Sequence, residues 1–323
     1  REMMKLIAAL VLCVALAEAR TMFVAMDQWA EYDSYCILKA EIDDDNLDQA
    51  VEAQIYFNLS DTTQASYMRF DAEHDLLYYT EWGLDVWTLD VSVDPPVATQ
   101  IVPYLSPQMQ GLDASPVTGD AYWSGCSYGG DCTIFKVDLD NAADPVPLTT
   151  FSPPDAGSAY VLMTDLAVDG ATGDAYVSFY WMNETTYVPT SEIWWIIDLL
   201  GEPTEPVAIF SEEGAQIMSL AVVPAMQFVT ASDTYYSEDS STAVWYMGYD
   251  GADAKKAITG GFDWEGDLDG GWIEDVYYQD SFGFYFTAGF DDSCVVYRAT
   301  GEHEVECAVT FGDDNVPVKA LTL

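Results

Sequence analysis

Short apolar runs alternate with turn-forming residues along most of the chain. The stretch from Met163 to Ser211 shows the pattern most clearly. Leu166-Ala-Val-Asp169 precedes a turn from Gly170 to Asp174, and Ala175-Tyr-Val-Ser178 follows it. After a longer loop come Ile193-Trp-Trp-Ile-Ile-Asp198, a Gly/Pro turn and Pro206-Val-Ala-Ile-Phe-Ser211. Runs of this length, rich in Val, Ile, Tyr and Trp and bounded by Gly, Pro and Asp, read as strands. The stretch therefore predicts four strands of one small antiparallel sheet.

Versions of this unit recur. Aligned on the second strand, the triplets are Phe23-Val24-Ala25, Tyr78-Tyr79-Thr80, Tyr122-Trp123-Ser124, Tyr176-Val177-Ser178, Phe228-Val229-Thr230 and Tyr285-Phe286-Thr287. Their spacings are 55, 44, 54, 52 and 57 residues. A period near fifty with four strands per unit is the signature of a propeller. The chain is thus predicted to be all-β, a six-bladed β-propeller with four antiparallel strands per blade, occupying residues 20–323 as one domain. The N-terminal unit lacks a first strand, and Val318 to Leu323 is an orphan strand. Pairing the orphan with the strand around Met22 to Met26 completes the sixth blade and removes two open edges.

The pattern Asp71, turn, Leu77-Tyr78-Tyr79-Thr80 resembles the YWTD blade of lipoprotein-receptor-type propellers. The units as a whole are similar to NHL and strictosidine-synthase-like propellers. The resemblance covers about the whole chain from residue 20. It departs at Trp123-Ser124 and Val177-Ser178, where the aromatic-Thr pair is replaced, and at Glu81, where a closing Asp is expected. It implies the fold. Those families include receptors, scaffolds and hydrolases, and function is carried by sites rather than by folds.

Charge narrows the partners. There are 55 acidic and 10 basic residues, a net charge of −45. Phosphate backbones need clustered Lys and Arg, so nucleic acid is excluded as a partner, and anionic membrane surfaces are disfavoured for the same reason. Such a surface suits a salty medium or divalent cations. Residues 1–19 read as a secretory signal peptide: Lys5, an apolar run from Leu6 to Ala17, and the small-x-small site Ala17-Glu18-Ala19. The run is too short for a membrane span. The expected location is extracellular, where disulfides persist. Cys126 and Cys132 flank a tight loop, and Cys294 and Cys307 lie on runs joined by the Thr300-Gly301 turn, so these pairs are the expected bridges, with Cys36 left over. Asn58 and Asn183 open glycosylation sequons.

Candidate chemistry divides between two places. Glu265, Asp267 and Asp269 alternate acidic oxygens ahead of Gly270, like the first half of a calcium loop. Asp165 and Asp275 open equivalent innermost strands and face the central channel, with Ser219 between them. Paraoxonase-like and gluconolactonase-like propellers hold a divalent metal at that mouth, although this chain has no obvious Asn there. Arg69 and Lys319 also sit on innermost strands and would neutralise channel acids. In a propeller the second-to-third loops and the links between blades form the face expected to bind, and the first-to-second and third-to-fourth turns form the other. His74 falls in a first-to-second turn and His303 in a third-to-fourth turn, so neither is placed as a general base.

Loop aromatics on the expected binding face are Tyr128, Trp181, Tyr187, Tyr235, Tyr236, Trp264 and Trp272. Rings so placed stack on sugars or anchor a protein. The leading expectation is a secreted binding or scaffold module for an extracellular protein or glycan, supported by calcium, and more a binder than an enzyme. The alternatives are a metal-dependent lactonase or esterase, and an acidic matrix or mineral-associated protein, which includes self-assembly.

Overall fold

The computed structural model describes residues 20–26, 35–42, 50–59, 65–72, 74–81, 85–103, 109–115, 120–127, 130–138, 145–156, 161–183, 185–224, 226–234, 243–259, 273–279, 283–288, 294–301, 304–311 and 318–322. For some strand residues, Asp275 among them, only the backbone is described. The expected leader at 1–19 lies outside this set.

The strands form six antiparallel blades. From the axis outward, blade I is Val318–Thr322, Arg20–Met26, Cys36–Ile42 and Gln54–Asn58. Blade II is Ala65–Asp71, Leu76–Glu81, Asp85–Asp90 and Val97–Val102. Blade III is Met109–Ser115, Asp120–Cys126, Cys132–Asp138 and Val146–Phe151. Blade IV is Val161–Asp169, Asp174–Met182, Pro189–Ile196 and Val207–Glu213. Blade V is Ile217–Val223, Phe228–Asp233, Ala243–Gly248 and Lys255–Thr259. Blade VI is Ile273–Gln279, Gly283–Ala288, Cys294–Gly301 and Glu304–Thr310. Each innermost strand touches those of its two neighbours, and blade VI meets blade I, so the ring is closed. This is the predicted six-bladed β-propeller. Among the described residues no helix is long and apolar enough to cross a membrane.

Burial falls from the second strands to the outer ones. The second strands Asp120–Cys126 and Asp174–Met182 are buried along most of their length, because a neighbouring blade covers each face. Strands covered on both faces read as continuous apolar runs. The outer strands Val97–Val102 and Val146–Phe151 are largely open to solvent. Aromatic and aliphatic clusters fill the seams. Tyr122, Phe151, Val177 and Phe179 pack between blades III and IV, and Tyr176, Ile193, Phe210 and Trp245 between IV and V.

The repeat extends to the irregularities. In all six blades the ladder between the third and outer strands shifts at one equivalent place, as at Ile134/Phe135 and Ile193/Trp194. Bulges raise the local twist of a sheet, so the same device recurs at this place in every blade.

Register corrects the sequence alignment in blade V. Ala231 faces Trp245 there, as Val177 faces Trp194 in blade IV and Tyr79 faces Trp87 in blade II. The repeat triplet is Thr230-Ala231-Ser232, two residues beyond Phe228-Val229-Thr230. The spacings become 55, 44, 54, 54 and 55 residues. Phe228, whose ring draws the sequence alignment to itself, begins its strand opposite Val223 and packs on Tyr246.

Closure has two parts. Phe23 pairs with Thr322, Val24 with Leu321 and Ala25 with Ala320, as the orphan strand predicts. A second clasp is not legible in the sequence. Val51–Glu52 runs parallel to the outer strand of blade VI, pairing with Val309 and Thr310, and Ala53 N–H donates to the Thr310 carbonyl at 2.8 Å. The segment that enters the outer strand of blade I thus first grips blade VI.

Both expected disulfides are present, Cys126–Cys132 and Cys294–Cys307. Cys36 is unpaired and buried. Burial pushes its thiol up to about 11, which keeps it protonated and unreactive at neutral pH.

Candidate functional site

Polar side chains of the innermost strands meet on the axis. Blade II contributes Arg69. Its Nε lies 3.4 Å from Asp113 Oδ1 of blade III, and its Nη2 lies 3.6 Å from Asp165 Oδ2 of blade IV. Nη2 also donates to the Leu220 carbonyl of blade V at 3.3 Å. Blade V stands opposite blade II in a ring of six, so this one side chain crosses the axis.

The two carboxylates are also engaged from the backbone. Asp113 Oδ2 accepts from Val168 N–H at 2.7 Å, and Oδ1 accepts from Ala114 N–H at 2.8 Å. Asp165 Oδ2 accepts from Leu220 N–H at 2.8 Å, and Oδ1 accepts from Leu166 N–H at 2.8 Å. Each acid therefore joins its own blade to the next, III to IV and IV to V. Burial pushes the Asp113 carboxyl above its ordinary range, while Arg69 and the two backbone donors oppose that rise. Hydroxyls extend the network. Thr164 donates to the Ile217 carbonyl at 2.8 Å, its Oγ1 is 2.7 Å from Ser178 Oγ, and Tyr67 O–H donates to the Thr164 carbonyl at 3.2 Å.

This arrangement is a charged hub that holds blades II to V in register. Charge-assisted hydrogen bonds are the strong ones, and an uncompensated buried charge is costly, so the cluster fixes one geometry. Arg69 neutralises channel acids as expected. Asp165 lies on the innermost strand, but in the middle of Val161–Asp169 rather than at its start, because the ladder with the second strand continues back to Val161; both of its oxygens accept backbone hydrogen bonds. Asp275 takes the equivalent place in blade VI, since Val276 pairs with Phe286 as Leu166 pairs with Val177. The sequence does not single out Asp113 or Tyr67. An Asp near a strand end reads as turn chemistry, and only the neighbouring blade reveals what it bonds.

His74 sits in a turn between first and second strands, its Nδ1 2.7 Å from Asp71 Oδ2. That placement suits a turn-stabilising role. Glu265, Asp267, Asp269, Tyr128, Tyr235, Tyr236, Trp264, Trp272 and His303 lie outside the described residues. Among the described residues no group of three or more His, Cys, Asp or Glu is arranged to hold a metal ion.

Of the expected binding-face aromatics, Trp181 and Tyr187 are described. Both belong to the hairpin between the second and third strands of blade IV. There the ladder runs four pairs beyond Ser178, to Met182–Pro189, against one pair beyond Thr80 in blade II and one beyond Ser232 in blade V. The hairpin is therefore longer than those two. Asn183 closes its turn, with Oδ1 accepting from Thr185 and Thr186 N–H at 2.9 and 3.1 Å. Tyr187 has a left-handed backbone (φ 57°) and is 71% exposed. Trp181 is half-buried, and the two sequon residues Asn58 and Asn183 are exposed.

No family model matches the sequence, and no curated protein matches it. Solved structures do match by shape. An oligogalacturonate lyase in complex with manganese aligns over 90% of this chain and 74% of its own, with a TM-score of 0.51 and 13% identity. TolB from Acinetobacter baumannii aligns over 97% of this chain and 70% of its own, with a TM-score of 0.52 and 9% identity. At such identity the likeness is one of fold. It agrees with the propeller architecture and does not select the YWTD, NHL or strictosidine-synthase-like families.

Proposed function

We propose that this protein is a secreted acidic propeller that binds an extracellular protein or glycan through its loop face, with calcium supporting that face through the loop around Glu265, Asp267 and Asp269. The observation that carries this reading is the contrast between hub and hairpin. The described channel carboxylates are engaged by Arg69 and by backbone N–H groups, which suits an architectural role. The blade IV hairpin instead presents Tyr187 to solvent and carries the half-buried Trp181, on a closed ring. Rigid aromatic anchors on a preorganised frame suit recognition, because little conformational freedom is lost on binding.

The test is a binding screen of the intact protein against extracellular glycan and protein arrays, in millimolar calcium. The hits are repeated with Trp181→Ala/Tyr187→Ala. The expected result is at least one ligand whose affinity falls by about tenfold or more in the double variant, a loss of about 1.4 kcal/mol. Hits that the double variant binds unchanged would remove the hairpin from the site.

A further inference from the structure

We infer that the seam between blades IV and V, on the face formed by the first-to-second and third-to-fourth turns, docks a partner protein presenting aliphatic side chains among lysines or arginines. This surface is on the opposite face from the blade IV hairpin and stands without the loop-face reading.

The seam is mainly aromatic and aliphatic, with two carboxylates set into it: Trp195 Nε1 donates to Asp174 Oδ2 at 3.1 Å and Tyr249 O–H donates to Asp169 Oδ2 at 2.8 Å. Val207 faces Trp195 across the two outermost strands of blade IV, and Trp195 faces Tyr176. The Trp195 and Tyr176 rings stack at 6.4 Å, and Tyr176 meets Tyr249 of blade V at 5.2 Å. Tyr249 N–H donates to the Gln227 carbonyl at 3.2 Å, which sets the turn carrying Met226 beside it. Ile209, Val222 and Ala254 pack on the same cluster. The blades touch closely here: a Cβ on Gly251 (φ 78°) would meet the Ile209 carbonyl oxygen, so only glycine fits. Large apolar side chains nevertheless stay open to solvent along the seam. Val207 and Met226 are each 52% exposed and Ile197 is 37% exposed.

Charge defines the occupant. Asp198, Glu202 and Glu205 in the blade IV turn, and Asp250 and Asp253 in the blade V turn, are all exposed around these residues. Of the two lysines that follow, Lys256 lies over the Trp245 ring at 4.7 Å, and Lys255 opens the outer strand. An apolar centre with a polar rim is the anatomy of a protein interface, and a rim with five exposed carboxylates against one exposed lysine selects a basic partner. A second copy meeting this face with its own would oppose the same carboxylates, and an anionic bilayer would meet the same repulsion.

The experiment uses the full chain with methyl-13C methionine, the Met226 signal being assigned by Met226→Ile. The probes are a short peptide of mixed Lys and Leu, a matched Glu/Leu peptide, a matched Lys/Ser peptide and phosphatidylserine vesicles. The expected result is that the Met226 methyl shifts with the Lys/Leu peptide alone. Val207→Ser should weaken that binding about tenfold, and Trp181→Ala/Tyr187→Ala should leave it unchanged. No shift at Met226 would overturn the inference. So would an equal response to Lys/Ser, which reduces the effect to surface charge, or any response to Glu/Leu. A response to vesicles would assign the face to a membrane, and a shift that grows with protein concentration alone would assign it to self-association.

Discussion

Replacing Arg69 with Met should cost far more at neutral pH than in mild acid. The guanidinium lies 3.4 Å from Asp113 and 3.6 Å from Asp165, with side chains only 14%, 13% and 2% exposed. At an effective dielectric near 20, one such pair attracts by roughly 4–5 kcal/mol before desolvation is counted. Removing one partner of a buried pair costs about 3–5 kcal/mol, because a charge is left uncompensated. We expect a loss in that range at pH 7.

The pH dependence follows from Asp113. Its native pKa stands above the ordinary 3.8, chiefly through burial, and Arg69 restrains the rise. A carboxyl with a raised native pKa loses folded-state stability as pH climbs from the unfolded value through the native one. Without Arg69 the native value moves further up, so that window widens and the loss deepens toward neutrality. Below the window Asp113 is protonated in both states and this penalty vanishes. Urea melts followed by tryptophan fluorescence at pH 4.5 and pH 7 should show a smaller deficit in acid. Adding Asp113→Asn should recover part of the neutral-pH loss, with a coupling of about 0.5–3 kcal/mol. A cost below about 1 kcal/mol at pH 7, or an equal cost at both pH values, would refute the hub.

Deleting residues 318–323 removes the innermost strand of blade I and should lower the melting temperature sharply; an unchanged thermal melt would rule out closure by that strand. Millimolar calcium should raise the melting temperature more than sodium chloride of equal ionic strength, since a ligand of the folded state stabilises by mass action. Asp267→Asn with Asp269→Asn should remove that excess, and equal effects of the two salts would leave the loop a solvated acidic surface. Cys36 should resist alkylation in the native protein and react fully in denaturant. Peptide mapping without reductant that finds Cys36 crosslinked within the chain would contradict its buried, unpaired state.

The blades are legible in the sequence because covering both faces of a strand demands an unbroken apolar run, and turn residues mark where each run stops. The orphan strand at Val318 is legible by the same reasoning, since an N-terminal unit one strand short needs a partner. The alignment fails at Phe228 because a ring at a strand's first position imitates the ring at its third, and only the pairing of Ala231 with Trp245 separates them. The clasp at Val51–Glu52 has no signal, being two residues of backbone pairing with a remote edge. The hub is half legible. Arg69 is conspicuous as a cation on an innermost strand of a chain this acidic, but the bonds of Asp113 and Asp165 to the next blade depend on tertiary register. The seam at Val207, Ile197 and Met226 is not singled out, because which outer-strand and turn aliphatics come together depends on how neighbouring blades pack.

The account rests on the channel carboxylates being architectural, and turnover measures that most directly. The intact protein is incubated with calcium or manganese and a panel of aliphatic lactones and aryl esters. Hydrolysis at the protein-free rate with either metal is the predicted result. Metal-dependent turnover, abolished by Asp165→Asn in a variant that still folds, would contradict the account and make the channel a hydrolytic site.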